Sequence, residues 1–288
     1  MPFTVSHVVA VVPLYKYLGR FGAFSALIIG SMVPDFAYMT PFLVDHRMDS
    51  HSLLGIYLYG IPMGLTVYFL YHFFMAPVIV SLLPEKISKH LSQNLFLGRP
   101  PDIPAHILVF SIIVGALTHI FWDFFTHENG IPVYIDWFNI PLTSIDGYEI
   151  MPFRVLQHFS TIFGLCLLVF LIWIWLSKRK QKTESIAVEL QNKPIDQGNI
   201  WKASSLLKKI SLIIILTVPL LSGIVFAIYT VPQVDDVMFG LYKAQFFLRY
   251  GIVSAAAMFI ISTALIGVVY KFLIYRHDQQ ALTAALQQ

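Results

Sequence analysis

The chain has 288 residues, of which 57% are hydrophobic and only 12% charged, with a formal net charge of +3 and a mean hydropathy of +0.71. A water-soluble domain carries charge on about a quarter of its residues, so these figures exclude both an ordinary soluble globule and a disordered chain. One cysteine, Cys166 inside an apolar run, excludes a disulfide scaffold, and no basic stripe interleaved with aromatics offers a grip on nucleic acid.

What remains is an all-α, polytopic transmembrane bundle. Residues 5–18 and 21–33 read as two short apolar segments separated by Lys16, Gly19, Arg20 and Gly22. They predict an N-terminal helical hairpin, although a single span over 21–43 distributes charge equally well. A further apolar patch, 36–44, follows Pro34-Asp35. Stretches long enough to cross a bilayer, about 20 residues each, lie at 53–83, 105–126, 156–176, 206–230 and 247–274. Trp122, Trp137, Trp173, Trp175 and Trp201 fall near their ends, where aromatic side chains anchor at headgroups.

Between the third and fourth of these spans the segment 178–202 is polar and begins Lys178-Arg179-Lys180-Gln181-Lys182. It predicts a cytoplasmic linker between a helical membrane domain, 1–177, and a two-helix accessory unit, 203–288. The N-terminus lacks a basic flank and a cleavage site, so Met1 onward is expected in the mature protein. With the basic cluster inside, alternation places every Lys and Arg in the cytoplasm except Arg47, Arg154, Lys243 and Arg249. The expected location is the inner (plasma) membrane, multi-pass, with the C-terminus cytoplasmic.

Ionisable groups at membrane depth are costly and commonly functional. His119, Asp123 and His127 stand at i, i+4 and i+8 of one apolar helix, on one face with a rise of about 6 Å per step. Two imidazoles and a carboxylate in register suit a metal, although His127 would equally favour the dipole at a helix end. Asp35 reads by itself as a capping residue, His51 as a ligand or an interfacial histidine, and His158 and His7 as weaker candidates. Together they gain force, because the Lys/Arg orientation puts Asp35, His51, His119, Asp123, His127 and His158 at the outer ends of their helices. His7 joins that layer only if 5–33 is a hairpin. His72, His90, His106 and His277 lie elsewhere and are read as non-functional.

A nitrogen and oxygen donor set without cysteine suits Zn2+ or another divalent metal such as manganese or iron. Seven candidate ligands exceed the need of one tetrahedral ion, so two ions sharing Asp123 are expected. Paired ions serve displacements at phosphorus.

The motifs Thr4-x-Ser6-His7, Gly30-Ser31-x-x-Pro34-Asp35, His46-Arg47-x-x-x-His51-Ser52 and Thr118-His119-x-x-x-Asp123-x-x-x-His127 resemble bacterial membrane-bound metal-dependent hydrolases. The resemblance covers about residues 1–177. More distantly, the order of histidines and aspartates is similar to zinc-dependent phospholipases C and single-strand nucleases, helical phosphodiesterases with three zinc ions. That resemblance implies a first ion held by Asp35, His51, His119 and Asp123, a second bridged by Asp123 to His7, and a third site beginning at His127 and His158. The glutamate that follows the last histidine in those enzymes is matched here by Ile162. Glu128, Asp146 or Glu149 are the available substitutes. Arg47 or Arg154 are candidates to neutralise a phosphate. The function expected is hydrolysis of a lipid or lipid-linked phosphoester at the outer membrane surface, with Asp123 bridging and Asp35 doubling as a base. Membrane lipids are the expected partners. The alternatives are a carrier or proton- or ion-translocating protein, and a non-catalytic membrane scaffold.

Overall fold

The computed structural model describes residues 4–39, 50–84, 102–128, 130–131, 134–145, 148–189, 205–230 and 240–286. A 3-10 turn, Thr4–His7, runs into α1 (Val8–Leu18), and a tight turn leads to α2 (Phe24–Gly30) and the short α3 (Val33–Phe36). Gly19 makes that first turn with φ of +52°, a conformation in which a Cβ is strained. The chain turns between α1 and α2 and the helix breaks again after α2, so 5–33 forms the expected hairpin rather than one continuous span. At seven residues, α2 is about 10 Å long, well short of a hydrocarbon core of about 30 Å.

Among the described residues, five helices are long and apolar enough to cross a membrane: α4 (Leu53–Leu82), α5 (Ala105–Thr126), α6 (Pro152–Glu189, apolar over Pro152–Ser177), α7 (Ser205–Thr230) and α8 (Gly240–Leu286, apolar over Lys243–Leu273). Their outward side chains are apolar, among them Phe163, Val169, Trp173, Leu216 and Leu220. Such exposure is costly in water and favourable in lipid. Within α4, π-helical turns at Ile56–Gly60 and Tyr71–Met75 precede Pro62 and Pro77. Proline lacks an N–H and crowds the carbonyl four residues back, and a wider turn relieves that crowding. A short antiparallel hairpin, β1 (Thr143–Ile145) with β2 (Tyr148–Ile150), precedes α6. It is the one non-helical element in an otherwise all-α chain, among the described residues.

Polarity alone places boundaries at 177 and 203. By packing, the chain divides into two compact units, Met1–Tyr68 with Ile103–Ile195 and Phe69–Asp102 with Asp196–Gln288. The second unit therefore includes the latter part of α4 besides α7 and α8. There Val78, Ile215 and Tyr270 form a core, and Gly267 meets the Phe74 backbone so closely that a Cβ would lie 2.3 Å from its carbonyl oxygen. Residues 178–189, read as linker, continue α6 as helix.

In the first unit Ala26, Ile29, Val33, Tyr68 and Ile112 are core. Backbone meets backbone between α2 and α5: a Cβ on Gly30 would lie 2.4 Å from the Ile112 oxygen, and one on Gly115 would lie 2.4 Å from the Leu27 oxygen. Ser111 Oγ donates to Ile107 O at 2.7 Å and accepts the Ala23 N–H at 2.9 Å, tying down the start of α2. This contact brings the residue after α2, Ser31, to the turn of α5 that carries His119.

Candidate metal centre

Each donor comes from a different local device. His7 closes the 3-10 turn before α1, Asp35 sits in the first turn of α3, and His51 precedes α4, whose N-terminus Ser52 caps by accepting the Gly55 N–H at 2.9 Å. His119 and Asp123 project from α5, and His127 is its C-terminal cap. His7, Asp35, His119 and Asp123 are buried, and the His7 and His119 rings stack at 4.0 Å.

Two groups of donor atoms lie close enough together to hold a metal ion, His7 with His119 and Asp123, and Asp35 with His51 and His119, and the carboxylate of Asp123 lies between their outlying members. Asp123 Oδ2 lies 3.2 Å from His119 Nε2 and 3.7 Å from His51 Nε2. Asp35 Oδ1 completes that set, 3.6 Å from His51 Nε2 and 3.7 Å from His119 Nε2. Asp123 Oδ1 faces the other way, 3.5 Å from His7 Nε2 and 3.4 Å from His127 Nδ1. Nearly all of these separations exceed the hydrogen-bond range of about 2.7–3.2 Å. Bonds of about 2.0–2.2 Å in a tetrahedron put neighbouring ligands about 3.3–3.6 Å apart, so the donors are spaced as ligands around a zinc-sized ion.

The hydrogen bonds behind the donors point to the same conclusion. His119 Nδ1–H donates to Ser31 O at 2.7 Å, which leaves Nε2 with its lone pair. Ser50 Oγ spends its proton on Pro34 O at 2.9 Å, so at 3.1 Å it accepts from His51 Nδ1–H, and the ring lone pair resides on His51 Nε2. Thr4 Oγ1 donates to Asp35 Oδ2 at 2.7 Å, which turns Oδ1 towards the imidazoles. Both ring nitrogens of His7, His119 Nε2 and Asp123 Oδ1 are buried without a hydrogen bond. Buried lone pairs facing one another are unfavourable unless a cation lies between them.

Outside the spans, burial pushes the Asp35 carboxyl up, but His51, His119 and the Thr4 hydroxyl outweigh it, and the group ends below its ordinary value. Burial pushes His127 down, against the opposing charge of Asp123. Both shifts favour the forms that bind metal, carboxylate and neutral imidazole. Ser50→Ala is expected to weaken metal binding by about 10–100-fold, as loss of an outer-shell partner does, and Ser50→Thr to restore it. Titration with Zn2+ after chelation checks this.

Of the residues read as site candidates, His7, Asp35, His51, His119, Asp123 and His127 come together, and His158 does not. His158 is exposed on α6, whereas its neighbour Gln157 is buried and places Nε2 3.1 Å from His127 Nε2. Adjacent helical residues point about 100° apart, so only one of the two can face the cluster. Glu128 and Glu149 are exposed, and Arg47 and Asp146 lie outside the described residues. Arg154 packs over the Phe153 ring at 5.8 Å. The sequence gives no sign of Gln157 or of the Ser31 carbonyl, since neither is a residue type that announces a ligand. Ser50 lies beside a predicted ligand and is readable only as a helix cap.

No curated protein and no solved structure matches the chain. Over residues 1–272 its sequence matches the family described as "Domain of unknown function (DUF4184)", and the chain belongs to that family.

Proposed function

We propose that the protein is a membrane-embedded, metal-dependent hydrolase of lipid or lipid-linked phosphoesters, working at the outer face of a bacterial inner membrane with its C-terminus in the cytoplasm. The observation that carries this reading is the pair of donor sets around Asp123, spaced at 3.2–3.7 Å with their lone pairs turned inward. Two divalent ions held there, zinc foremost, would polarise a phosphoryl oxygen and lower the pKa of water to near neutrality.

The chain's own groups divide the remaining work. Asp123 binds the halves together by offering one oxygen to each. Asp35 has both oxygens engaged, one by Thr4 and one by the imidazoles, which suits a ligand better than a base. The side chains of His51 and His127 are 23% and 32% exposed, and they mark the open side where a phosphate would enter. The motif order shared with the hydrolases named above supports the reaction class by analogy.

Two features favour a lipid substrate. Along α5, His119 stands about 21 Å and Asp123 about 27 Å from Ala105, near the end that the Lys/Arg distribution assigns to the exterior. An apolar groove of about 530 Å³, lined by Pro13, Leu14, Tyr17, Leu117, Phe121 and Trp122, runs along α1 and α5. Trp122 also meets His7 edge-on, with ring centroids 6.4 Å apart, so one wall of the groove borders the cluster.

Protein reconstituted in phospholipid vesicles should release phosphate or a phosphorylated headgroup, lose that activity to a chelator and regain it with Zn2+. Metal-loaded protein that leaves lipid phosphoesters intact but drives uptake under a pH gradient would establish the carrier reading instead.

A further inference from the structure

We infer that His127 is a ligand of the ion shared by His7 and Asp123, that Gln157 sets its tautomer, and that the centre therefore holds two ions rather than three. This rests on the metal-dependent reading above. The three-zinc enzymes imply that His127 and His158 begin a separate site, but the geometry points elsewhere. His127 Nδ1 and His7 Nε2 approach the same oxygen, Asp123 Oδ1, at 3.4 and 3.5 Å. His158, Glu128 and Glu149 are all exposed, so none of the described alternatives completes a third site around His127.

Gln157 occupies the position from which His127 is controlled. It is 8% exposed and sits 3.1 Å behind the imidazole, on Nε2. With its amide nitrogen there, Gln157 donates to Nε2. The ring proton then resides on Nδ1, which donates to the backbone oxygen of Asp123 at 3.2 Å. In that tautomer His127 has no lone pair for an ion beside Asp123 Oδ1.

Half a turn of the amide about its last bond exchanges Oε1 for Nε2 in the same space. Oε1 then accepts from Nε2–H, and the Nδ1 lone pair, released from its bond to the Asp123 backbone oxygen, faces Asp123 Oδ1. A glutamine offers both arrangements without moving the helix. It matches the ion-free ring by donating and the ligating ring by accepting. Gln157 is thus a positioning residue that acts on the second ion through His127, in the manner of outer-shell partners generally.

The test uses the full chain in detergent, stripped by chelator and titrated with Zn2+ by calorimetry and with Co2+ by absorption. Wild-type protein should bind two ions. His127→Ala and Gln157→Leu should weaken one of them by about 10–100-fold and leave the other unchanged. Gln157→Glu, which can only accept, should hold that ion at least as tightly as wild type and restore the Co2+ spectrum lost in Gln157→Leu. Three ions per chain, no ion at all, or equal second-ion affinity in the Leu and Glu variants overturns the assignment. Two ions bound in the expected pattern without phosphoester hydrolysis would overturn the enzymatic reading alone. Hydrolysis with second-ion affinity unchanged in His127→Ala and Gln157→Leu would overturn the assignment alone.

Discussion

Asp123→Ala is expected to release both ions from the purified protein and to abolish phosphoester hydrolysis. Its two oxygens serve different partners, Oδ2 facing His51 and His119 and Oδ1 facing His7 and His127. Truncation removes one donor from each set at once, so the loss should exceed the roughly 10–100-fold that an outer-shell deletion costs. Asp123→Asn keeps one acceptor oxygen and should retain a single ion. Stability separates this from a structural role. In chelator-treated protein, Asp123 Oδ2 and His119 Nε2 lie 3.2 Å apart, close enough to share a proton, so Asp123→Ala should cost ion-free protein much less stability than it costs the metal-loaded protein. If Asp123 serves only to bind helices together, Asp123→Ala lowers stability by the same amount with or without metal. Elemental analysis and thermal unfolding with and without Zn2+ distinguish the two.

Gly115→Ala is expected to damage the centre without altering a ligand. Alanine is favoured over glycine in a helix by about 1 kcal/mol, but here its Cβ would meet the Leu27 oxygen at 2.4 Å and the Ser31 nitrogen at 2.7 Å. Those are backbone atoms, which yield only if α2 moves off α5. Overpacking of this kind costs about 1–3 kcal/mol, so the net effect is a loss of stability. Movement of α2 also withdraws the Ser31 carbonyl that fixes the His119 tautomer at 2.7 Å, so Zn2+ affinity should fall with the melting temperature. Gly223→Ala makes a comparable approach, 2.6 Å from the Gly251 oxygen in the second unit. It should lower the melting temperature and leave Zn2+ affinity unchanged. Equal metal affinity in Gly115→Ala and wild type would show that helix contact does not position His119.

The spans were legible because lipid imposes a length and an apolar composition, and the sequence from 105 to 126 meets both. The cluster of histidines and aspartates was legible for the complementary reason, since His119 and Asp123 have no business on an apolar helix without a partner. What escaped is what periodicity does not encode. The run 53–83 is apolar on both sides of Tyr68, so nothing in it marks where the compact units divide. Residues 178–189 are rich in good helix formers, and a helix of that composition continues past its apolar stretch. The choice between Gln157 and His158 turns on the rotational phase of α6 at its first turns, where both residues are polar and either fits the pattern. The Ser31 carbonyl belongs to the backbone, and no side-chain motif records it.

The stacking of His7 on His119 also bears on how the protein is made. Synthesis delivers His7 first, and its neighbours on α5 emerge more than a hundred residues later. The amino-terminal hairpin can therefore make its contacts with the 105–126 helix only after that helix has been synthesised. An ion captured by both would clasp the earliest and the later parts of the nascent polypeptide, making metal uptake a maturation step and leaving metal-starved protein open to proteolysis at its amino-terminal end.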